Sequence, residues 1–144
     1  MNLQYMKQCI DAAMGSGADI PVGCIIVKDD KIISSACNRR EALNSVSAHA
    51  EILALEAASK SLNNWRLEGC SMYVTLEPCP MCGWAILNSR IKNLYFGAYD
   101  TKYGAFGGAM NLSNFHNFKI NVFGGIMESE CEKLILDYFK NLRK

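Results

Sequence analysis

Apolar residues recur along this chain with two periods, one typical of helices and the other of strands. Residues 3–14 carry an apolar side chain every three or four positions up to the run Gly15-Ser16-Gly17, which predicts a first helix that ends there. Residues 129–142 show the same spacing and predict a final amphipathic helix. The side chains expected to face inward from it are Cys131, Leu134, Ile135, Tyr138 and Phe139.

Five β-rich runs between these helices predict strands. Residues 22–27 and 32–37 flank the acidic pair Asp29-Asp30, which is typical of a hairpin. Three further strands are expected at residues 70–76, 91–96 and 119–123.

Two more helices are predicted between the later strands. Ser47 is a candidate cap for a helix that ends near Asn63-Asn64, and Pro80 suits the first turn of a short helix through Leu87. Residues 98–118, which are rich in glycine, are expected to form a long and loosely structured connection.

The order of these elements predicts an α/β fold. Strand–helix–strand alternation in the second half favours a parallel part of the sheet, and the opening hairpin favours an antiparallel part. We therefore expect a three-layer α/β/α sandwich with a mixed five-stranded sheet. A chain of 144 residues is long enough for one such domain, which we assign to residues 1–144.

Composition narrows the class of protein. A hydrophobic content of 50% with 20% charged residues excludes a disordered chain. No apolar run approaches the ~18 residues of a membrane span, and the N-terminal residues lack an apolar leader, so a cytoplasmic protein without a membrane partner is expected. The net charge of +1 does not by itself indicate a nucleic-acid binder.

The seven cysteines fit the same compartment, because an odd number is a poor basis for a disulfide framework. Four of them lie in apolar stretches and are interpreted as core residues: Cys9, Cys24, Cys70 and Cys131.

Two short motifs carry candidate chemistry, and each begins a predicted helix. They are His49-Ala50-Glu51 and Pro78-Cys79-Pro80-Met81-Cys82. Alone, the first motif is a weak indication of function, since a single histidine at a helix start is usually just hydrogen-bonded. The second motif alone fits either a redox pair or half of a structural zinc site. Together they supply one imidazole, two thiols and one carboxylate on neighbouring helices.

This combination favours a catalytic zinc ion. Three protein ligands, His49, Cys79 and Cys82, leave one position open for water, whereas a structural site closes with four. Zinc lowers the pKa of a bound water to about 7. Glu51, two residues from His49, is then the candidate general acid and base, the alternative being a solvated carboxylate in a first helical turn. A fourth ligand from another cysteine stays open.

The combined motif is the signature of zinc-dependent nucleobase deaminases. Beyond it, the chain resembles the bacterial tRNA-specific adenosine deaminases over nearly its whole length. The segments that carry the resemblance are Ile20-Pro21-Val22-Gly23, Asn38-Arg39, residues 48–52, residues 75–82, Ser89-Arg90-Ile91, residues 96–105 and Tyr138-Phe139.

The resemblance implies hydrolytic conversion of adenosine to inosine at the wobble position of a tRNA anticodon. It implies one zinc ion per subunit on His49, Cys79 and Cys82, with Glu51 as the proton shuttle. It also implies a homodimer that binds the anticodon stem-loop. Three further residues are implied to contact substrate: Asn38 at the flipped adenine, and Asp100 and Lys102 at the anticodon loop, together with the C-terminal helix.

Base stacking against an aromatic wall would stabilise the bound RNA by about 1–3 kcal/mol per base. The candidate walls are Tyr103, Phe106 and Phe139, each equally plausible as a core or interface residue. A local basic surface is expected from Lys133, Lys140, Arg143 and Lys144 near the C-terminus.

Two other functions remain open at this point. One is a deaminase of free guanine, cytosine or a nucleoside, since Pro-Cys-Pro-Met-Cys also occurs in guanine deaminases. The other is a non-catalytic, zinc-stabilised RNA-binding protein, which needs a fourth ligand and no Glu51. Two departures from the family pattern bear on substrate contacts: Asp19 stands where glutamate is frequent, and Arg39-Arg40-Glu41-Ala42 opens the following loop.

Overall fold

Five strands form one mixed sheet in the order β2-β1-β3-β4-β5 in this computed structural model, which describes residues 1–143. β1 is Gly23–Lys28, β2 is Lys31–Cys37, β3 is Ser71–Leu76, β4 is Asn93–Ala98 and β5 is Asn121–Phe123. β1 runs antiparallel to both β2 and β3, whereas β3, β4 and β5 are parallel. The mixed sheet expected from the sequence is therefore confirmed.

The hairpin turns at Asp29 and Asp30, as predicted. Both residues have positive φ, at 50° and 60°. Two consecutive left-handed residues match the twist of the flanking strands, and aspartate tolerates this conformation better than most residues.

Helices cover both faces of the sheet, which confirms the three-layer arrangement. α1 (Leu3–Ala13) and α5 (Glu128–Leu142) pack on one face, and α3 (Ala50–Leu62) and α4 (Pro80–Asn88) pack on the other. α2 (Arg40–Leu43) is a single turn between β2 and α3. Among residues 1–143, no helix combines the length and the apolar character that crossing a membrane requires.

Alternating side chains of β1 divide the core in two. Cys24 and Ile26 pack toward α3 and α4, whereas Ile25 and Val27 pack toward α1. This alternation follows from the two-residue period of a strand. The four cysteines predicted to lie in the core are all buried, namely Cys9, Cys24, Cys70 and Cys131.

Two expectations about helices are corrected, and one short helix was not expected. Ser47 does not cap α3, because the helix begins two residues later than such a cap requires and His49 occupies the N-cap position. α2 has no apolar face and buries none of its residues, so periodicity could not reveal it. Phe139 is exposed rather than inward, and Cys131 is the one residue of α5 that is completely buried.

The connection after β4 is also more ordered than expected. Its backbone forms hydrogen-bonded turns, an isolated bridge between Phe106 and Asn111 and a short 3₁₀ helix at Leu112–Asn114. Phe106 is buried in the core and is therefore not a surface for RNA stacking. Residues 98–118 thus build part of the site instead of forming a loose loop.

Candidate metal centre and active site

The two motifs meet where α3 and α4 begin. His49 is the N-cap residue of α3 and Cys79 is the N-cap residue of α4, while Cys82 lies in the first turn of α4. Neither N-cap side chain makes the usual hydrogen bond to its own helix. Both side chains are therefore free to face each other, at the positive ends of two helix dipoles that favour thiolates.

The distances among these three side chains suit a zinc ion. His49 Nδ1 lies 3.8 Å from Cys79 Sγ and 3.4 Å from Cys82 Sγ. In a tetrahedral site with the usual zinc–sulfur and zinc–nitrogen bond lengths, a sulfur and a nitrogen ligand stand about 3.6 Å apart. Within residues 1–143, these three side chains are the one such group that could hold a metal ion, so the described chain offers no fourth ligand.

The acidity of one thiol of the cysteine pair fits the same conclusion. Hydrogen bonds from Cys82 and from His49 lower the pKa of the Cys79 thiol to about 4, whereas the hydrogen bond with Cys79 and burial raise the pKa of the Cys82 thiol. A thiol that loses its proton this readily is a good ligand for zinc. The three residues therefore fit one zinc ion by distance and by donor type.

Glu51 stands beside this group without belonging to it. It is in the first turn of α3 and only 4% exposed, and it lines the same pocket as His49 and Cys79. Burial raises the pKa of its carboxyl group to about 7. A buried carboxyl group adjacent to a metal site has the placement that general acid–base catalysis needs, and the solvated first-turn alternative does not fit its burial.

Asn38 is tied into the protein by both ends of its amide. Its Oδ1 accepts the backbone N–H of Ala50 at 2.8 Å, and its Nδ2 donates to the carbonyl of Ile20 at 3.0 Å. The first bond satisfies an N–H at the start of α3 that the helix itself leaves without a partner. Asn38 also lines the pocket, where one N–H and one lone pair of its amide remain for a ligand.

Replacing Asn38 by alanine should lower the free energy of unfolding by about 1–3 kcal/mol, because a buried donor and a buried acceptor lose their partners. Chemical denaturation of the zinc-loaded protein measures this loss. Asn64→Ala is the matched control, since its Oδ1 accepts only an exposed N–H, that of Arg66. Equal stability losses in the two variants would contradict the prediction.

A pocket of about 280 Å³ opens over these residues. Its wall combines residues from the segment before β1, the segment after β2, the end of β3, both motifs and the loop after β4. The lining residues are Ile20, Val22, Asn38, Arg40, His49, Glu51, Leu76, Glu77, Cys79, Pro80, Asp100 and Tyr103. A few polar groups converge on a largely apolar cavity, which is typical of a small-molecule or nucleobase site.

Arg40, at the rim of this pocket, is held by Asp19. Its Nε and Nη2 donate to Asp19 Oδ1 at 3.0 and 2.8 Å, and the N–H of Glu41 donates to Oδ2 at 3.2 Å. The Asp19 side chain is fully buried while that of Arg40 is 38% exposed. Asp19 therefore fixes both the guanidinium and the start of α2, which the sequence alone did not show.

The Asp19–Arg40 pair should make stability depend on pH in the acid range. Burial alone would raise the pKa of Asp19, but the hydrogen bonds from Arg40 and Glu41 outweigh it and the pKa is lowered. The stabilisation is therefore full above the unfolded-state pKa of about 3.9 and is lost as the pH falls through the lowered folded-state pKa. Asp19→Asn should cost about 1 kcal/mol at neutral pH, since Arg40 is partly solvated.

Melting temperatures of wild type and Asp19→Asn, measured from pH 7 down to pH 3, check this prediction. The gap between the two proteins should close below about pH 4, while effects common to both, such as protonation of the metal ligands, cancel in the difference. A gap that widens as the pH falls would show that the sign is wrong.

The two loop residues implied to contact RNA occupy different positions. Asp100 lines the pocket, and its Oδ1 accepts the N–H groups of Lys102 and Tyr103, both at 3.0 Å. Lys102 is exposed on the same loop, outside the pocket lining. Tyr103 is 62% exposed at the pocket rim, and it is the aromatic candidate from this loop that could stack on a base.

Glu77 is a residue of this site that sequence reasoning missed. It is 2% exposed, lines the pocket and accepts three backbone N–H groups from the loop after β4. The available signal was a glutamate directly before Pro78-Cys79 together with a glycine-rich segment near residue 104.

A three-layer fold with a His-Cys-Cys group and an adjacent buried carboxylate defines the class of zinc-dependent nucleobase deaminases. Residues 1–98 match the family described as the cytidine and deoxycytidylate deaminase zinc-binding region. That match covers both motifs.

Comparison with individual proteins identifies a narrower family within this class. The chain is 42% identical over 144 residues to the tRNA-specific adenosine deaminase of Bacillus subtilis, covering 97% of this chain and 89% of that protein. It is 42% identical to that of Aquifex aeolicus over 126 residues, covering 87% and 83%. The chain belongs to the tRNA-specific adenosine deaminase family.

Two solved structures are similar in fold. One, from a study of A-to-I editing by tRNA:A34 deaminases, has a TM-score of 0.86 with 36% identity and covers 92% of this chain and 99% of its own. A guanine deaminase of Bacillus subtilis has a TM-score of 0.66 with 38% identity, but covers only 70% of this chain and 67% of its own.

Proposed function

We propose that this protein catalyses the hydrolytic, zinc-dependent deamination of adenosine to inosine at the wobble position of a tRNA anticodon. The observation that carries the proposal is the position of Glu51, buried in the pocket next to the His49-Cys79-Cys82 group. The relatives named as tRNA-specific adenosine deaminases supply the substrate class.

In this proposal His49, Cys79 and Cys82 hold the zinc ion, which when bound supplies a water of low pKa to the pocket. Glu51 would take one proton from this water as its oxygen adds to the carbon that bears the amine, and would pass that proton to the adjacent ring nitrogen. It would then take the second proton from the newly added hydroxyl group and pass it to the departing amine. Adenosine and water become inosine and ammonia, and Glu51 returns to its starting state.

The pocket supports a single nucleobase as the reacting group. Its volume of about 280 Å³ is just below the range of about 300–1,000 Å³ usual for drug-sized ligands. A base must leave its stack to enter, which costs least in a loop where it is already unpaired. Asn38 has free hydrogen-bonding capacity for the base edge, and Tyr103 at the rim is placed to stack on a flanking base.

An anticodon stem-loop with adenosine at the wobble position tests the proposal. The zinc-loaded protein should convert that adenosine to inosine, detected by digestion and mass spectrometry, and should leave a stem-loop with adenosine elsewhere in the loop unchanged. Release of ammonia from free guanine, without inosine in the stem-loop, would overturn the proposal in favour of the guanine deaminases. An unchanged RNA with bound protein would favour the non-catalytic alternative.

The cytoplasm is the proposed compartment, because tRNA is found there. We also propose that Lys102 and α5 contact the anticodon loop. Lys133, Lys140 and Arg143 lie on or next to α5, whereas Lys144 lies outside the described residues. These contacts predict moderate loss of activity with rising salt, since a small footprint releases few counterions.

A homodimer is proposed from the exposed face of α3 and α4. Met81 and Trp84 of α4 are 40% and 41% exposed. Trp65, which follows α3, is 58% exposed and lines a shallow groove of about 480 Å³ between the two helices. Clusters of large exposed apolar side chains typically mark an interface. A second copy of the chain is the proposed occupant, as the family resemblance implies.

Light scattering coupled to gel filtration measures the assembly. Wild type should elute as a dimer of this 16.0 kDa chain. Trp84→Glu should elute as a monomer, because it places a charge within the apolar interface. A monomeric wild type would refute the dimer and leave the proposed reaction standing.

A further inference from the structure

Glu77 connects the metal-binding segment to the end of β4 and the loop that follows it, through its backbone N–H and both carboxylate oxygens. Its backbone N–H donates to the carbonyl of Ala98 at 2.8 Å. Its Oε1 accepts the N–H of Asp100 at 2.9 Å, and its Oε2 accepts those of Phe106 and Gly108 at 2.9 and 2.8 Å. The carboxyl group therefore spans both sides of the loop.

The loop is built closely around this carboxyl group. A Cβ atom at Gly104 or at Gly108 would overlap the Glu77 carboxyl group and the Asp100 carbonyl. Glycine at these two positions therefore lets the backbone approach Glu77 closely enough for its N–H groups to donate. Glu77 forms no salt bridge within residues 1–143, so the loop amides are its charge partners.

The same loop supplies one wall of the pocket. Asp100, whose N–H is held by Glu77, lines the pocket and in turn holds the turn that carries Tyr103. The side chains that face the substrate thus depend on Glu77 through two successive hydrogen bonds. A displacement of this wall weakens its contacts with a bound nucleotide in the ground state and in the transition state alike, so the expected loss is one of binding.

We propose that Glu77 is a positioning residue that fixes the loop of residues 99–108 in the conformation that binds the substrate nucleotide. It acts through Asp100 and Tyr103 and takes no part in the bond-breaking steps. That the bound substrate is a nucleotide rests on the proposed function. The hold of Glu77 on the loop of residues 99–108, which we call the clamp, rests on the structure alone.

Glu77→Gln is the sharpest variant, because it keeps the size of the side chain. Whichever oxygen becomes an NH₂ group, at least one loop N–H loses its acceptor and faces another donor. Glu77→Asp keeps the charge but is one methylene shorter, so it cannot reach both sides of the loop. Glu68→Gln is the matched control, an exposed carboxylate just before β3.

Hydrogen exchange followed by mass spectrometry measures, without any substrate, how strongly Glu77 protects the amides of the loop. In both Glu77 variants the amides of residues 99–110 should exchange at least about tenfold faster, while β3 and β4 stay protected. Glu68→Gln should match wild type throughout. Unchanged exchange in the loop would overturn the inference, and so would faster exchange across the whole sheet, which would mean a general structural role.

Kinetics with the anticodon stem-loop then separate binding from chemistry. Glu77→Gln should raise KM about tenfold with kcat within about threefold of wild type, as expected when binding common to ground and transition states is lost. Bound zinc should stay at the wild-type level. A large fall in kcat at unchanged KM would overturn the positioning role. If wild type makes no inosine, the proposed function fails while the exchange data still decide the clamp.

Discussion

Replacing Glu51 by glutamine should lower kcat by about a hundredfold to ten-thousandfold, the range usually contributed by a general acid–base group. The amide has nearly the size of the carboxylate, so the pocket and the start of α3 should be preserved. It cannot accept the proton of an attacking water or pass one to the departing amine. Inosine formation in the wobble stem-loop measures this loss.

The zinc content of Glu51→Gln distinguishes a general acid and base from a zinc ligand. Since Glu51 stands outside the group of His49, Cys79 and Cys82, the variant should bind as much zinc as wild type by elemental analysis. Glu68→Gln is the matched control, an exposed carboxylate just before β3 and outside the pocket lining, which should leave kcat unchanged. Loss of zinc in Glu51→Gln would make Glu51 a ligand, and retained turnover would remove it from the mechanism.

The sequence predicted those features that depend on short-range pattern. The strands could be recognised because the two faces of the sheet demand alternating side chains, as in Cys24 and Ile25 of β1. The group that could hold a metal ion could be recognised because His49, Cys79 and Cys82 lie in two compact motifs that begin helices. Both kinds of signal are contained within a few residues.

The features that the sequence did not reveal depend on contacts between distant segments. Asp19 meets Arg40 across 21 positions, and Glu77 meets Gly108 across 31. No local pattern in the sequence indicates either contact, and only the fold brings each carboxylate to its partner. The order in residues 98–118 was missed for the same reason, since it comes from hydrogen bonds to Glu77 and not from local periodicity.

Phe139 shows the opposite failure, a local pattern that the tertiary structure does not use. Its spacing from Cys131 fits an inward helical face, yet Phe139 is 42% exposed. Cys131 is buried against the sheet and Tyr138 is partly buried, with its hydroxyl donating to the carbonyl of Ala18, whereas Phe139 lies outside this packed face. A periodic pattern thus identified the helix correctly while overstating how much of it is buried.

Replacing Cys82 by alanine should abolish stoichiometric zinc binding and, with it, inosine formation. Two remaining ligands cannot form the three-ligand site that the structure presents. The variant should still fold, because most of the core lies between the sheet and its helices away from this side chain. Circular dichroism checks the fold, and elemental analysis checks the metal.

Thermal melts with and without zinc measure how much zinc binding stabilises each protein. With free zinc at about 100 times its Kd, wild type should gain about 2.7 kcal/mol, or about 10 °C in melting temperature for a chain of this length. Cys82→Ala should show no such gain. Cys70→Ala removes a thiol that is equally buried but remote from the metal group, so it should melt lower than wild type and still gain the same amount from zinc. A zinc-dependent gain that survives in Cys82→Ala would show that Cys82 is not a ligand, because stabilisation by a metal requires that the metal bind the folded state.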